Sequence, residues 1–158
     1  MNKIQKYSIG AALALFYYLA YSGNLSHIIA YHEQHHLFLF TEAYFEQQVQ
    51  SEGFFSYLTD FIIQFFYYPA LGSTLLALLL ASVYLLASNI IRFLFGKEDL
   101  FHLSVIPSLA LFYHTMEASH TLVPITISVL TLAIINLVLW IFRSHMPLIP
   151  LFKNLHIQ

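Results

Sequence analysis

His32, Glu33 and His36 stand in the order H-E-x-x-H within the stretch YHEQHHL. On a helix, positions i and i+4 share a face, so the two imidazoles could converge on one zinc ion while Glu33 poises an attacking water. A catalytic zinc site needs a third protein ligand. His120 and Glu117 are the candidates, because His114, Glu117 and His120 recur at three-residue intervals in a second short stretch. The metal set read from the sequence is therefore His32, His36 and His120. The simpler reading is a polar loop whose histidines face water or lipid headgroups, and local enrichment in histidine favours it.

Carboxylates are the second chemical resource. Glu33 and Glu42 are placed to act as a general base, or to hold a divalent cation that grips a diphosphate. Glu46 and Asp60 share their stretch. The simpler reading is a solvated helix face with acids near helix starts, where the helix dipole favours them. With no cysteine, thiolate metal sites, disulfides and cysteine nucleophiles are excluded. No phosphate loop, dinucleotide fingerprint, G-x-S-x-G or EF-hand pattern is present. Which cofactor, if any, the chain uses is left unknown by these motifs.

The elements that must position these groups are unlike those of a water-soluble domain. The 158 residues are 59% hydrophobic and 9% charged, with a mean hydropathy of +0.70. Soluble domains are nearer 25% charged, and one this size cannot hide so much apolar surface. The bilayer is the natural solvent. A net charge of -2 gives no basic surface for nucleic acid. Four apolar runs, 7–22, 71–91, 100–116 and 122–142, approach the length that crosses a hydrocarbon core of about 30 Å. The third is the weakest, because it holds His102, Pro107 and His114. The predicted fold is an all-α, polytopic transmembrane helical bundle of four spans, a single membrane domain over 1–158.

Basic residues orient it. Lys3 and Lys6 precede the first run, Arg92 and Lys97 lie between the second and third, and Arg143 and Lys153 follow the fourth. With both termini cytoplasmic, all six are inside. The loop 23–70 then faces outward with Glu33, Glu42, Glu46, Glu52 and Asp60 and no Lys or Arg. Tyr67, Tyr68 and Trp140 fit interfacial belts. Gly53 divides the loop into two predicted amphipathic helices lying on the outer surface. In the first, Leu37, Phe40, Tyr44 and Phe45 share a face. The second, 54–68, is aromatic but broken by Ser56, Thr59, Asp60 and Gln64. Polar groups within the spans, among them Asn89, Asn136, Ser104, Thr126 and Thr131, should bond to neighbouring helices. A rival reading makes 1–22 a cleaved signal peptide, with a basic start, an apolar centre and an Ala20-Tyr21-Ser22 cleavage pattern.

The block 31–80 resembles the N-terminal part of an uncharacterised family of multi-pass inner-membrane proteins typical of Bacteroidota. The likeness rests on Glu33-Gln34, Leu37-Phe38-Leu39-Phe40, Tyr57-Leu58 and Gln64-Phe65-Phe66-Tyr67-Tyr68-Pro69 followed by Gly72. It covers about a third of the chain and implies a bacterial inner-membrane protein, without a stated activity. It also implies that the Glu-Gln pair recurs while the second zincin histidine does not, and that members are longer, so the chain reads as a truncated or divergent member. More loosely, one span followed by an acidic outer loop is similar to the start of membrane glycosyltransferases that use polyprenyl-phosphate sugars. By position, Glu33 or Glu42 would there serve as base or metal partner.

These readings leave three functions open. The first is a non-catalytic membrane module that packs against other membrane helices in the bilayer. The second is a fragment of an enzyme acting on a lipid-linked substrate at the outer face. The third is a metal-binding or zincin-like site. Whether the chain is an enzyme stays open.

Overall fold

The computed structural model describes residues 3–36, 38–95 and 103–145. Leu37, Lys97, His102 and Lys153, on which some of the expectations above rest, lie outside the described residues. Among the described residues the chain is all helical, with no strand. The elements are α1 (Lys3–Ser22), α2 (Ser26–His35), α3 (Glu42–Ser51), α4 (Phe54–Ile63), a 3-10 turn (Gln64–Tyr67), α5 (Pro69–Phe95), α6 (Val105–His114) and α7 (Val123–His145).

α5 is the spine. It carries no charge from Pro69 to Ile91, and Pro69 opens it at the one position where a missing N–H costs nothing. Its 27 residues span about 40 Å at 1.5 Å per residue. α1, α6 and α7 all pack on it. α5 and the Val123–Arg143 part of α7 are long and apolar enough to cross a membrane. α1 has 20 residues, about 30 Å, but begins with Lys3, Gln5 and Lys6. α6 has only 10 residues, about half the thickness of a hydrocarbon core. The start of the expected third span, 100–102, falls outside the described residues.

Hydrogen bonds between helices fix their directions. The Lys6 ammonium donates to Asn89 Oδ1, and Tyr84 OH donates to the Lys6 carbonyl over 3.4 Å. The start of α1 therefore lies beside the end of α5, and the two run antiparallel. Tyr17 OH donates to Ser108 Oγ at 2.8 Å, and the Ser108 hydroxyl in turn donates to the Leu80 carbonyl at 2.7 Å. Tyr21 OH lies 2.5 Å from Thr115 Oγ1, so α6 rises alongside α1. The hydroxyls of Thr59 and Thr126 are 2.9 Å apart, which places the start of α7 beside α4. Asn136 Nδ2 donates to the Leu86 carbonyl at 3.1 Å, which places the later turns of α7 beside those of α5. α1, α5, α6 and α7 thus alternate in direction.

The distribution of polarity is inverted. Ser73, Ser88, Ser104, Ser108, Thr115 and Thr126 are buried, while Leu15, Phe16, Leu78, Ile106, Ile134, Leu137 and Trp140 are exposed. The core is Tyr17, Tyr21, Ile28, Ile29, Ile63, Phe66, Leu76, Leu80, Phe112 and Ile125 with their neighbours. Tyr17 and Tyr21 are fully buried there, so α1 is part of the core. Every Asp and Glu among the described residues lies toward the α2–α4 end, and Lys6, Arg92 and Arg143 lie toward the other.

The outer segment departs from expectation in two ways. Residues 38–41 are not helical, and α3 starts at Glu42, capped by Thr41, whose backbone is extended and whose hydroxyl accepts from the Tyr44 N–H at 3.2 Å. Phe40 is therefore not on a helical face with Tyr44 and Phe45. α4 does not turn its polar stripe to water. Ser56, Thr59 and Asp60 are buried, and Phe54 and Phe55 are exposed. Hydrogen-bond partners from α2, α3 and α7 offset the burial of these polar groups, which the sequence alone does not display.

Candidate functional site

Asp60 is the centre of the polar end of the molecule. It sits in the last turn of α4 with its side chain 5% exposed. A carboxylate this deep needs donors on its lone pairs, and three side chains supply them. His36, the residue after α2, donates from Nδ1 to Oδ1 at 2.9 Å. Gln48 of α3 donates to Oδ2 at 2.8 Å, and Tyr44 of α3 donates to the same oxygen at 3.2 Å. One carboxylate thereby ties three helices together. Gln48 also reaches Glu52 at 3.2 Å, and Ser56 OH donates to Glu52 at 2.8 Å. The Tyr44 hydroxyl is pushed up to about 12, by burial first and then by the Asp60 charge beside it.

His32 lies one turn below His36, with ring centres 5.6 Å apart. It is 1% exposed, and neither ring nitrogen has a hydrogen-bond partner. Burial, and secondarily the neighbouring His36 and His35, push its pKa down to about 4. It is thus a neutral imidazole with its hydrogen-bonding capacity unused. His36, in contrast, has its Nδ1 committed to Asp60, so its lone pair is on Nε2.

The other sequence candidates lie apart from this cluster. Glu33 is half-buried one position along from His32, on a different face of α2. Glu42 is exposed at the first position of α3, where the dipole favours an acid. His120 stacks on His114 with ring centres 4.5 Å apart. Its Nδ1 donates to the His114 carbonyl at 2.9 Å, and its Nε2 lies 3.3 Å from Glu117. Among the described residues, no three His, Asp or Glu side chains are gathered so as to hold a metal ion together. The structure brings His32 and His36 together, adds Asp60 behind His36, and does not assemble His120 with them.

Tyr44 and Gln48 carry no signal as site residues in the sequence. Asp60 does carry one. Ser56, Thr59 and Asp60 fall at i, i+3 and i+4 within an otherwise apolar run, which is a single polar stripe on one helix face. Such a stripe on an apolar helix is as readily buried against other polar groups as solvated.

Beside the cluster, Phe38, Tyr44, Phe45, Tyr57 and Phe61 form edge-to-face and tilted ring pairs with centres 4.9–5.7 Å apart. They close the α3–α4 hairpin around Gly53, whose φ of 92° suits glycine.

A family model matches residues 2–155. The chain belongs to DUF6057, a family of unknown function. The match extends well beyond the block 31–80 on which the resemblance to an uncharacterised family rests. Neither the comparison with characterised proteins nor that with solved structures yields a match.

Proposed function

We propose that this member of the family is a multi-pass bacterial inner-membrane protein that serves as a non-catalytic membrane module. In this reading the four apolar runs expected from the sequence make four passes, the third through the short helix α6, and both termini are cytoplasmic. The observation that carries the reading is the inverted polarity. Hydroxyls and amides are paired inside, and Ile, Leu, Phe and Trp face outward. In water that sheath would be a large aggregation-prone patch; in lipid it is the expected surface. The alternating helix directions and the separation of basic from acidic ends support the orientation. The resemblance to inner-membrane proteins of Bacteroidota supports the compartment. α7 suits packing against further membrane helices: 11% of its most apolar stretch is buried, against 44% for α5.

The natural absence of cysteine makes the test direct. Single cysteines at Glu46 and Ser119 should react with a membrane-impermeant maleimide on intact spheroplasts. Cysteines at Arg92 and Arg143 should react only after permeabilisation. Labelling of Arg92 on intact cells, or of Glu46 only after lysis, would overturn the orientation.

A second reading, an outer-face enzyme or enzyme fragment acting on a lipid-linked substrate, is favoured by the His36–Asp60 pair. A carboxylate holding one imidazole nitrogen leaves the other as a base. The nearby carboxylates Glu33 and Glu42 are the bases that the sequence offers. This reading requires Glu33→Gln, Glu42→Gln or His36→Gln to abolish a cellular phenotype without lowering the amount of folded protein. The non-catalytic reading expects the two glutamate variants to behave as wild type.

A further inference from the structure

We infer that His32 and His36 form a two-imidazole site for a divalent transition-metal ion, with Asp60 as the positioning residue behind His36. Three observations converge on this. The two rings come from successive turns of one helix end, with centres 5.6 Å apart. Two imidazoles on one ion, with metal–nitrogen distances of about 2.0–2.1 Å, have ring centres about 5–6 Å apart near the tetrahedral angle. Asp60 accepts the hydrogen bond of the His36 Nδ1–H, which fixes the tautomer and leaves the Nε2 lone pair to bind the ion. A carboxylate behind a ligating histidine is the usual outer support of a zinc site. Finally, His32 is fully buried with both nitrogens unsatisfied.

That last fact separates the metal from a structural role. A buried imidazole without partners makes the fold less stable than a leucine of similar size would. A divalent ion gives one of its nitrogens a bond. The two imidazoles supply two ligands, so water or an anionic oxygen completes the coordination. Glu33 and His120 take no part, which distinguishes this site from the three-ligand zincin arrangement. The ligand set selects a borderline ion such as zinc over calcium or magnesium, which prefer oxygen.

The test uses the full chain purified in mild detergent, stripped with chelator and titrated with Zn2+ alone, then with Co2+ for its visible spectrum. Zinc should raise the melting temperature, and cobalt should give the absorption of nitrogen ligation. His32→Leu should abolish both effects while leaving the metal-free melting temperature equal or higher. His36→Gln, at a partly exposed position, should also abolish both, and serves if His32→Leu does not fold. Asp60→Asn should weaken binding about 10- to 100-fold. His120→Ala should bind as wild type. No response to either ion in the wild type overturns the proposal. So does a response that survives His32→Leu or His36→Gln, or one that His120→Ala removes.

Discussion

Asp60 shows how one buried charge organises its surroundings. Its three donors come from two other segments, so removing it takes away the one acceptor that His36, Tyr44 and Gln48 share. Hydrogen bonds to a charged group contribute about 1.5–3 kcal/mol each, and an orphaned partner is costly. Asp60→Ala should therefore lower stability by roughly 3 kcal/mol, read as a drop in melting temperature with early proteolysis in the 36–53 segment. An unchanged melting temperature would mean that the cluster does not hold the helices. Tyr44 gives a pH signature. Its hydroxyl titrates near 10 in the unfolded chain and at about 12 in the folded protein. The fold favours the protonated form, so this contribution is complete below pH 10 and is lost as pH rises from 10 to 12. Alkaline denaturation curves of wild type and Tyr44→Phe should converge over that window. Parallel curves would count against the Tyr44–Asp60 contact.

At the scale of elements, close approach decides more than propensity. Gly72 opens the buried face of α5 against the 3-10 turn and α2. A Cβ there would sit 2.9 Å from a Phe66 ring carbon, 3.1 Å from the Phe66 Cα and 3.1 Å from Ile29. The Phe66 backbone cannot swing aside as a side chain can. Gly72→Ala should thus cost about 1–3 kcal/mol, measured by thermal unfolding in detergent, despite alanine's better helix propensity. If Gly72→Ala were neutral, the turn would have to be free to move. Within the bundle, Thr59–Thr126 and Tyr17–Ser108 link helices through hydroxyls. Such bonds average about 0.6 kcal/mol in membrane proteins. A double-mutant cycle on Thr59→Val and Thr126→Val should return a coupling near that size, and zero coupling would place the two hydroxyls apart.

For the whole molecule, the proposed membrane setting changes which interactions hold the fold. Apolar side chains gain little by leaving lipid for a protein interior, so packing and internal polar bonds hold the bundle. In that setting the exposed face of α1, with Leu15, Phe16 and Leu19, rests against acyl chains, and that of α7, with Ile134, Leu137 and Trp140, meets lipid or further membrane helices. An alkaline carbonate wash should leave the protein in the membrane pellet, with detergent needed to release it. Recovery in the carbonate supernatant would contradict the membrane reading and turn those faces into a protein interface.

Composition and charge order made much of this legible. Charge-free runs of the right length marked the helices that became α5 and α7, because crossing lipid demands apolar length and little else. The order of basic and acidic residues foreshadowed the two poles, since short loops carry their charges to one side or the other. His32 and His36 were legible as neighbours because helical periodicity places i and i+4 together. What lay beyond the sequence was long-range. Nothing local says that α4 buries its polar stripe, that Asp60 reaches His36 across 24 residues, or that His32 ends without a partner. Those outcomes depend on which helices pack together, and packing is settled by the fit of all of them at once. Periodicity put the two histidines side by side, but only the tertiary structure set a buried carboxylate behind one and sealed the other from water.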